Sequence, residues 1–341
     1  MIRPDRPVLG LTLGDVAGIG PEVTAKALAR REVRQWCRPV VLGDLGALKS
    51  AASALGLNLV LETFRPGTGP NPDSAAEIIP LTDLPAEDLI PGRPTPAGAA
   101  AAARFIETGA ALALAGKLDG LVTAPISKEA LRRAGYNFPG HTEFLAHLSG
   151  NPPVVMMLAG DRLKVVLVTI HEPLAAVPGL LTIDRIVETA RITQESLRRD
   201  FGLDRPRLAA AALNPHAGEG GLFGLEEERI IAPAVARARA LGLDLTGPFS
   251  ADTLYYRASA GEFDAVVSMY HDQGLIPFKL LHFKDGVNVT LGLPFIRASV
   301  DHGTAYHLAG QGRADPDSLL AAIRLAAAMA GRRKKQPSRE R

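Results

Sequence analysis

Three of the eight histidines stand in settings alike enough to suggest joint chemistry. His171 (Thr169-Ile170-His171-Glu172-Pro173), His216 (Asn214-Pro215-His216-Ala217-Gly218) and His271 (Tyr270-His271-Asp272-Gln273-Gly274) each follow an apolar run and enter a polar or turn-forming stretch. Residues just past the C-terminal ends of parallel strands converge on the ligand crevice of an α/β sheet. Three imidazoles delivered there suit one divalent metal with coordination positions left open for substrate, the arrangement of a catalytic site. Their separations of 45 and 55 residues form no local metal motif. Spacing alone therefore leaves the alternative open that they are loop histidines bonded to backbone.

Other polar groups fall where an apolar core has no use for them. Gly140-His141-Thr142-Glu143 opens a predicted helix, and His141 and Thr142 either offer hydrogen bonds to a substrate or cap that helix. Lys279 stands eight residues after His271, and Asn288 and Arg297 flank a predicted strand and turn. Lysine and arginine together suit a phosphate or carboxylate, although either one alone also suits a surface salt bridge. Asp252, in Ala251-Asp252-Thr253, is an N-cap candidate with a possible acid–base role; it and Lys279 are the candidate general bases. The loop Gly14–Glu22 is rich in glycine and leads into a helix whose free N–H groups can meet an anion. Val23 occupies the position of the last glycine in G-x-G-x-x-G, so a Rossmann dinucleotide site is not supported.

The elements that must position these groups alternate. Short apolar runs at 8–13, 39–42, 120–123, 154–158, 164–169, 207–213, 265–269 and 287–291 read as strands. Helical patterns at 18–30, 45–55, 96–116, 183–201, 226–241 and 318–330 lie between or beyond them. Such alternation predicts an α/β architecture with a mostly parallel sheet. Residues 62–96 hold eight of the 26 prolines and read as an extended surface excursion.

A chain of 341 residues, 47% hydrophobic and 22% charged, is long enough for two domains with large cores. The single cysteine, Cys37, excludes an internal disulfide framework and a multi-cysteine metal site. No run of 18 uncharged apolar residues occurs, and the N-terminus lacks the apolar core of a signal peptide. A cytoplasmic location without membrane association is the default expectation. Residues 331–341 carry six basic groups and one acid, so the rest of the chain is slightly acidic despite a net charge of +2. The tail reads as a solvated, disordered end rather than a nucleic-acid contact.

Together these segments resemble the 4-hydroxythreonine-4-phosphate dehydrogenase family of pyridoxal phosphate biosynthesis, over about residues 11–330. The most specific parts are Gly140-His141-Thr142-Glu143-Phe144, Asn214-Pro215-His216-Ala217-Gly218-Glu219-Gly220-Gly221, Tyr270-His271-Asp272-Gln273-Gly274-Leu275 and the run 286–297. One departure is Val16, where the family usually has proline; it changes loop stiffness and removes no functional group. The resemblance implies that His171, His216 and His271 ligate a divalent metal (zinc, cobalt or magnesium). It also implies a homodimer, because the third histidine of the set comes from the partner subunit. His141, Thr142, Lys279, Asn288 and Arg297 match the family's substrate contacts.

A second likeness concerns the cofactor. Residues 301–305 and 309–316 look like the adenosine-binding loop of isopropylmalate and isocitrate dehydrogenases, which bind NAD or NADP without a Rossmann fingerprint. His302, Gly303, Thr304 and Asp315 are the matching candidates here. That likeness implies a two-domain fold with the active site in the interdomain cleft. The expected division is residues 1–128 with 286–330 carrying most of the NAD site, 129–285 for metal, substrate and dimerisation, and 331–341 as the tail.

The activity implied is NAD-dependent oxidation of 4-phosphohydroxy-L-threonine at C3 to 2-amino-3-oxo-4-phosphooxybutanoate, which decarboxylates to 3-amino-2-oxopropyl phosphate. The nearest rival is a paralogous dehydrogenase of D-threonate or D-erythronate 4-phosphate, since exchanging an amino group for a hydroxyl at C2 changes few contacts. A zinc-dependent hydrolase would have no use for the loop around His302 and Asp315. A scaffold protein would have no reason to keep all three histidines.

Overall fold

In the computed structural model, which describes residues 6–69 and 74–335, the apolar runs become strands and the longer periodic segments become helices. The chain begins with β1 (Val8–Thr12), α1 (Gly20–Leu28), α2 (Arg31–Trp36), β2 (Arg38–Asp44), α3 (Leu45–Ala54), β3 (Leu61–Thr63), β4 (Ala76–Thr82), α4 (Pro96–Leu114), β5 (Gly120–Thr123), α5 (Lys128–Arg133) and α6 (His141–Leu148). It continues through β6 (Val155–Ala159), β7 (Lys164–Leu167), α7 (Val177–Leu180), α8 (Ile183–Arg199), β8 (Leu208–Ala211), α9 (Ala232–Ala240), β9 (Leu245–Phe249), α10 (Ala251–Ser259), β10 (Ala265–Ser268), α11 (His271–Leu281) and β11 (Val287–Leu291). It closes with β12 (Ile296–Ser299) and α12 (Asp317–Lys335).

Two units form, Met1–Pro153 with Leu293–Arg341, and Val154–Gly292. In the first, the strand order β3-β4-β2-β1-β5-β12 is parallel throughout. In the second, the order is β11-β6-β7-β10-β8-β9, and only β6 runs against its neighbours. The α/β class and mostly parallel sheets expected from the alternation are those observed. The divisions fall later than the sequence suggested. Helices α5 and α6 pack on α4 and so belong to the first unit, and β11 pairs with β6 and so belongs to the second.

Two further expectations need correction. The proline-rich stretch contains β3 and β4, which pair with each other and extend the first sheet. Pro80 is tolerated inside β4 because it lies opposite Gly43, at a register shift and beyond the residues that β3 covers. At the C-terminus, α12 runs on to Lys335, held by an ion pair of 2.7 Å between Lys334 and Asp119 and by Arg333 donating to the Pro294 carbonyl. The remainder of the tail lies outside the described residues.

Local chemistry explains the helix starts. Thr95 accepts the Gly98 N–H ahead of Pro96, Ser127 accepts the Ala130 N–H, and Thr182 accepts the Arg185 N–H. Among the described residues α4 alone is long and apolar enough to cross a membrane by composition. Its buried Ala99, Ala102, Ala103, Phe105, Ile106 and Ala110 are instead committed to the first unit, where α4 packs on β1, β2 and β5. The second core is built by Leu158, Val165, Leu167, Ala209, Val266, Leu254 and Phe278.

Asp44 links several of these elements at once. Fully buried at the end of β2, it accepts the Ala47 N–H of α3 with Oδ1, and the Thr82 hydroxyl and Leu84 N–H beyond β4 with Oδ2. Replacing it by alanine strands three donors, each costing about 1–3 kcal/mol when unmet. Asp44→Ala is expected to lower unfolding free energy by about 3 kcal/mol or more in urea titration, with Asp44→Asn losing less. Equal midpoints for Asp44→Ala and wild type would show that the loops do not need it.

Candidate active site

In each unit taken by itself, the parallel strands end at one edge, and polar groups stand there. In the first, β12 lies beside β5 with Arg297 opposite Leu121, and Arg297 Nη2 donates to Thr123 Oγ1 at 2.9 Å. The guanidinium is 3% exposed. Burial pulls its pKa down to about 10, with the Glu143 carboxylate acting in the other direction. His141 is the first residue of α6, and its Nε2 is buried without a hydrogen-bond partner. Its pKa lies well below the ordinary histidine value, first through burial and then through the cations of Arg297 and Lys128, so the ring is neutral at pH 7.

The result is a cluster of two cations, Arg297 and the exposed Lys128, and one carboxylate, Glu143, around a neutral imidazole whose buried Nε2 has no hydrogen-bond partner, which is chemistry suited to an anion. Gly140 occupies the N-cap with no side-chain cap bond, so capping does not account for His141 or Thr142. Lys128 is a member that the sequence did not single out. It follows the same strand end as Thr123, and its position one residue past the Ser127 cap was the only available signal.

The glycine-rich loop after β1 lies against two other loops of the first unit. Asp15 N–H donates to the Pro125 carbonyl, Ile19 N–H to the Thr304 carbonyl, and the Tyr306 hydroxyl to the Asp15 carboxylate. Burial first, and then the Asp15 bond, pushes the Tyr306 hydroxyl up to about 12. Glu22, buried in the first turn of α1, accepts Lys26 Nζ at 2.9 Å and the backbone N–H groups of Ala314 at 2.8 Å and Gly312 at 3.3 Å. These bonds fix the segment proposed from sequence for adenosine. Within it His302, Gly303 and Asp315 are exposed and Thr304 is half-buried, and Asp315 also accepts the Asp317 N–H that starts α12. A cavity of about 210 Å³ lies beside the loop, lined by Val16, Glu22, Ala47, Leu55, Leu89, Pro91 and Gly310–Gly312.

In the second unit, in-register pairing of β7, β10 and β8 carries the three histidine segments to one edge. The Thr169 hydroxyl donates to the Met269 carbonyl at 2.7 Å. Gln273 accepts the Met269 N–H at 2.7 Å and donates to the Ala212 carbonyl, so one buried amide links the ends of β10 and β8. His171 and His271 come together with ring centroids 5.6 Å apart, and His271 Nδ1 lies 2.7 Å from Asp272. His216 does not join them. Its side chain is 67% exposed, 3.7 Å from the Glu219 carboxylate and facing Phe223. Among the described residues no three His, Cys, Asp or Glu side chains of one chain form a metal-holding group.

The His216 segment has unusual backbone. His216, Ala217, Gly218, Glu219 and Gly220 have φ of 52°, 55°, 81°, 45° and 64°, a continuous left-handed turn. Left-handed geometry costs a non-glycine residue about 1–2 kcal/mol. Glu227 and Asn214, neither singled out by the sequence, surround this turn. Lys279 sits two turns beyond His271 on α11, roughly 12 Å along the axis, with its ammonium 6.0 Å from the Phe283 ring. Asn288 is half-buried in β11. Asp252 is not the N-cap expected. Ser250 holds that position, and Asp252 is exposed in the first turn of α10, where it accepts the Ser250 hydroxyl at 2.7 Å.

Comparison with known proteins gives a consistent picture. Residues 35–326 match the family model described as pyridoxal phosphate biosynthetic protein PdxA. A 4-hydroxythreonine-4-phosphate dehydrogenase of Geobacter metallireducens is 56% identical over 328 residues, covering 95% of this chain and 96% of the relative. A crystal structure of 4-hydroxythreonine-4-phosphate dehydrogenase from Klebsiella pneumoniae is similar with a TM-score of 0.86 and 41% identity, over 95% of this chain and 99% of that one. A terephthalate 1,2-cis-dihydrodiol dehydrogenase from Burkholderia xenovorans is similar with a TM-score of 0.66 and 32% identity, over 94% and 98% of the two chains.

The His141 environment has a consequence for acid stability. Its folded pKa is depressed, so below about pH 6.5 the unfolded chain binds a proton that the native state refuses. Stability should therefore fall as pH drops below about 6.5, at up to about 1.4 kcal/mol per pH unit from this group. His141→Gln should flatten that slope in urea titrations at pH 5.0 to 7.5, whereas parallel slopes in both proteins would place the acid sensitivity elsewhere.

Proposed function

Because the chain belongs to the family of pyridoxal phosphate biosynthetic protein PdxA, we propose that it is a dehydrogenase that oxidises 4-phosphohydroxy-L-threonine at C3 with NAD or NADP and a divalent metal. The observation that carries this reading is the buried Arg297 near the neutral His141, whose Nε2 is buried without a hydrogen-bond partner, with the exposed Lys128 close to the same ring. An anionic substrate supplies the charge that this cluster lacks and a partner for His141 Nε2. Thr142, Lys279 and Asn288 complete the set of substrate contacts.

The residues present fit both a divalent metal and a nicotinamide nucleotide. The 5.6 Å between the His171 and His271 rings is close to the roughly 5 Å that two imidazoles take up on one tetrahedral ion. Imidazole donors favour zinc or cobalt, with magnesium requiring oxygen ligands to complete its shell. Because His171 and His271 stand together and His216 apart, His216 rather than His271 is then the ligand contributed by a second subunit. The cavity beside Gly310–Gly312 has a mixed wall, apolar at Leu55 and Leu89 and polar at Ser50 and Gln311, with Glu22 already engaged by Lys26, Gly312 and Ala314, and such a wall suits an adenosine. His302, Gly303, Thr304 and Asp315 flank that nucleotide.

When bound, the metal supplies Lewis acidity to the C3 hydroxyl and the nicotinamide supplies the hydride acceptor. Arg297 and the neutral His141 hold the anionic end of the substrate and exclude water from it. Lys279 takes the hydroxyl proton as the C3 hydride leaves, a step that requires its neutral amine and regenerates the ammonium; Asp252, already engaged by Ser250, is the weaker candidate. The β-keto acid so formed, 2-amino-3-oxo-4-phosphooxybutanoate, loses its carboxylate as CO₂, and C2 takes up a proton to give 3-amino-2-oxopropyl phosphate.

The ligand count and an exposed apolar face of α11 support a homodimer. Ile276 and Leu280, 68% and 86% exposed, lie four residues apart on one face of α11, and Phe283, 81% exposed, follows just past the helix end. Leu280→Glu should convert the dimer to monomer in analytical ultracentrifugation; an unchanged dimer would remove this stripe from the interface.

The activity is tested by following absorbance at 340 nm with metal-loaded protein, NAD, and either 4-phosphohydroxy-L-threonine or D-threonate 4-phosphate. Preference for the amino acid is expected, with His216→Ala losing at least a hundredfold in kcat while keeping its fold. Preference for the threonate ester would retain the chemistry and replace the substrate. Reduction with neither would remove the assignment.

A further inference from the structure

Glu227 is 5% exposed and lies in the first position of a single π-helical turn, Glu227–Ile231, that leads into α9. Among the described residues no ion pair explains its burial. Its carboxylate instead faces backward along the chain: Oε1 accepts the N–H groups of Leu213 and Asn214, each at 2.7 Å, and Oε2 accepts Asn214 Nδ2 at 2.9 Å. The second proton of that amide goes to Glu226 Oε2 at 2.7 Å. Gly218 is packed so closely that a Cβ there would lie 2.8 Å from Glu227 Oε2, and a Cβ on Gly224 would lie 2.4 Å from Asn214 Nδ2. The Phe223 N–H closes the loop onto the Gly218 carbonyl.

Everything enclosed by this clasp is the left-handed turn that carries His216. Three of its residues, His216, Ala217 and Glu219, are not glycine, so the turn opposes the intrinsic preference of its own sequence. Left alone, those residues would return to the right-handed or extended regions and swing the imidazole away. Pi-helical turns recur at functional sites because the extra residue re-aims one side chain, and here it aims a carboxylate at the loop.

We propose that Glu227, acting through Asn214, is a positioning residue that holds the strained turn so that His216 is presented in a fixed direction to its metal. This inference rests on the reading of His216 as a ligand. Orientation of a ligand by a neighbouring hydrogen-bonding group typically governs metal affinity by ten- to a hundredfold. The effect of losing Glu227 therefore falls on binding and not on stability alone. Glycine at position 217 would adopt the left-handed geometry without the Cβ penalty, so it should lessen the need for the clasp.

The test uses the full-length protein titrated with Co²⁺, followed by ligand-field absorption, with thermal unfolding in parallel. Glu227→Gln keeps the volume but sets a donor against Asn214, and is expected to weaken Co²⁺ binding at least tenfold while unfolding cooperatively. Adding Ala217→Gly to that variant should recover threefold or more. Should Glu227→Gln be insoluble, Asn214→Ser loses the amide clasp, keeps both backbone bonds, and should move affinity in the same direction. His216→Ala serves as control. Loss of affinity in His216→Ala with wild-type affinity in Glu227→Gln, or a lowered melting point that Ala217→Gly leaves unaccompanied by any change in affinity, would overturn the positioning role. Undiminished Co²⁺ binding by His216→Ala would overturn the ligand reading beneath it.

Discussion

In-register parallel pairing sets Leu167 beside Ser268 and Ala210 beside Val267, so the chain leaves β7, β10 and β8 at nearly the same height. His171, His216 and His271 are 45 and 55 residues apart in sequence and reach one sheet edge for this reason alone. The same constraint acts in the first unit, where β1, β5 and β12 are parallel neighbours. Their exits bring together the Asp15 loop, Lys128 and the Tyr306 loop. A reversed strand at any of these places would send its exit loop to the opposite edge. The one strand that does run backward, β6, carries none of the candidate groups.

Parallel sheets leave ragged exits whose backbone N–H groups need partners, and this protein meets the need with buried carboxylates. Asp15 accepts the Ala17 N–H, Glu22 those of Gly312 and Ala314, Asp44 those of Ala47 and Leu84, and Glu227 those of Leu213 and Asn214. A buried acid is costly unless charge-assisted hydrogen bonds compensate its desolvation. Each of these acids has at least one backbone donor, and each fixes a loop next to a candidate group. Rigid exits of this kind hold a site's geometry before any ligand arrives. The cation cluster is built on the opposite principle. Arg297 is buried and the His141 Nε2 is buried without a hydrogen-bond partner, and burial lowers the pKa of both groups.

Much of the fold was legible because its signals are local. The strand–helix alternation, Pro96 behind its Thr95 cap and the apolar strands of both cores follow from periodicity and capping. The segment 62–96 was misread because proline content outweighed a short apolar run, and only the pairing of β4 with β2 and β3 shows that Pro80 needs no ladder partner. The unit boundaries were misplaced because they depend on what α5, α6 and β11 pack against. Lys128, Gln273 and Glu227 escaped notice since none has a distinctive neighbourhood in sequence. Lys128 acts on His141, 13 positions away, Gln273 reaches Ala212, 61 positions away, and Glu227 reaches Leu213 and Asn214, 14 and 13 positions away.

The residue types themselves determined the chemistry on offer: imidazoles suited to a metal, cations suited to a phosphate, and a glycine-rich turn without a Rossmann fingerprint. Side-chain functional groups carry those properties wherever they are placed. Tertiary structure alone decided which of them meet. It paired His171 with His271 and left His216 outward on a left-handed turn, because strand order puts β10 beside β7 and because Glu227 is buried beneath that turn. Those outcomes depend on long-range pairing and on desolvation, and both exist only once the chain has folded.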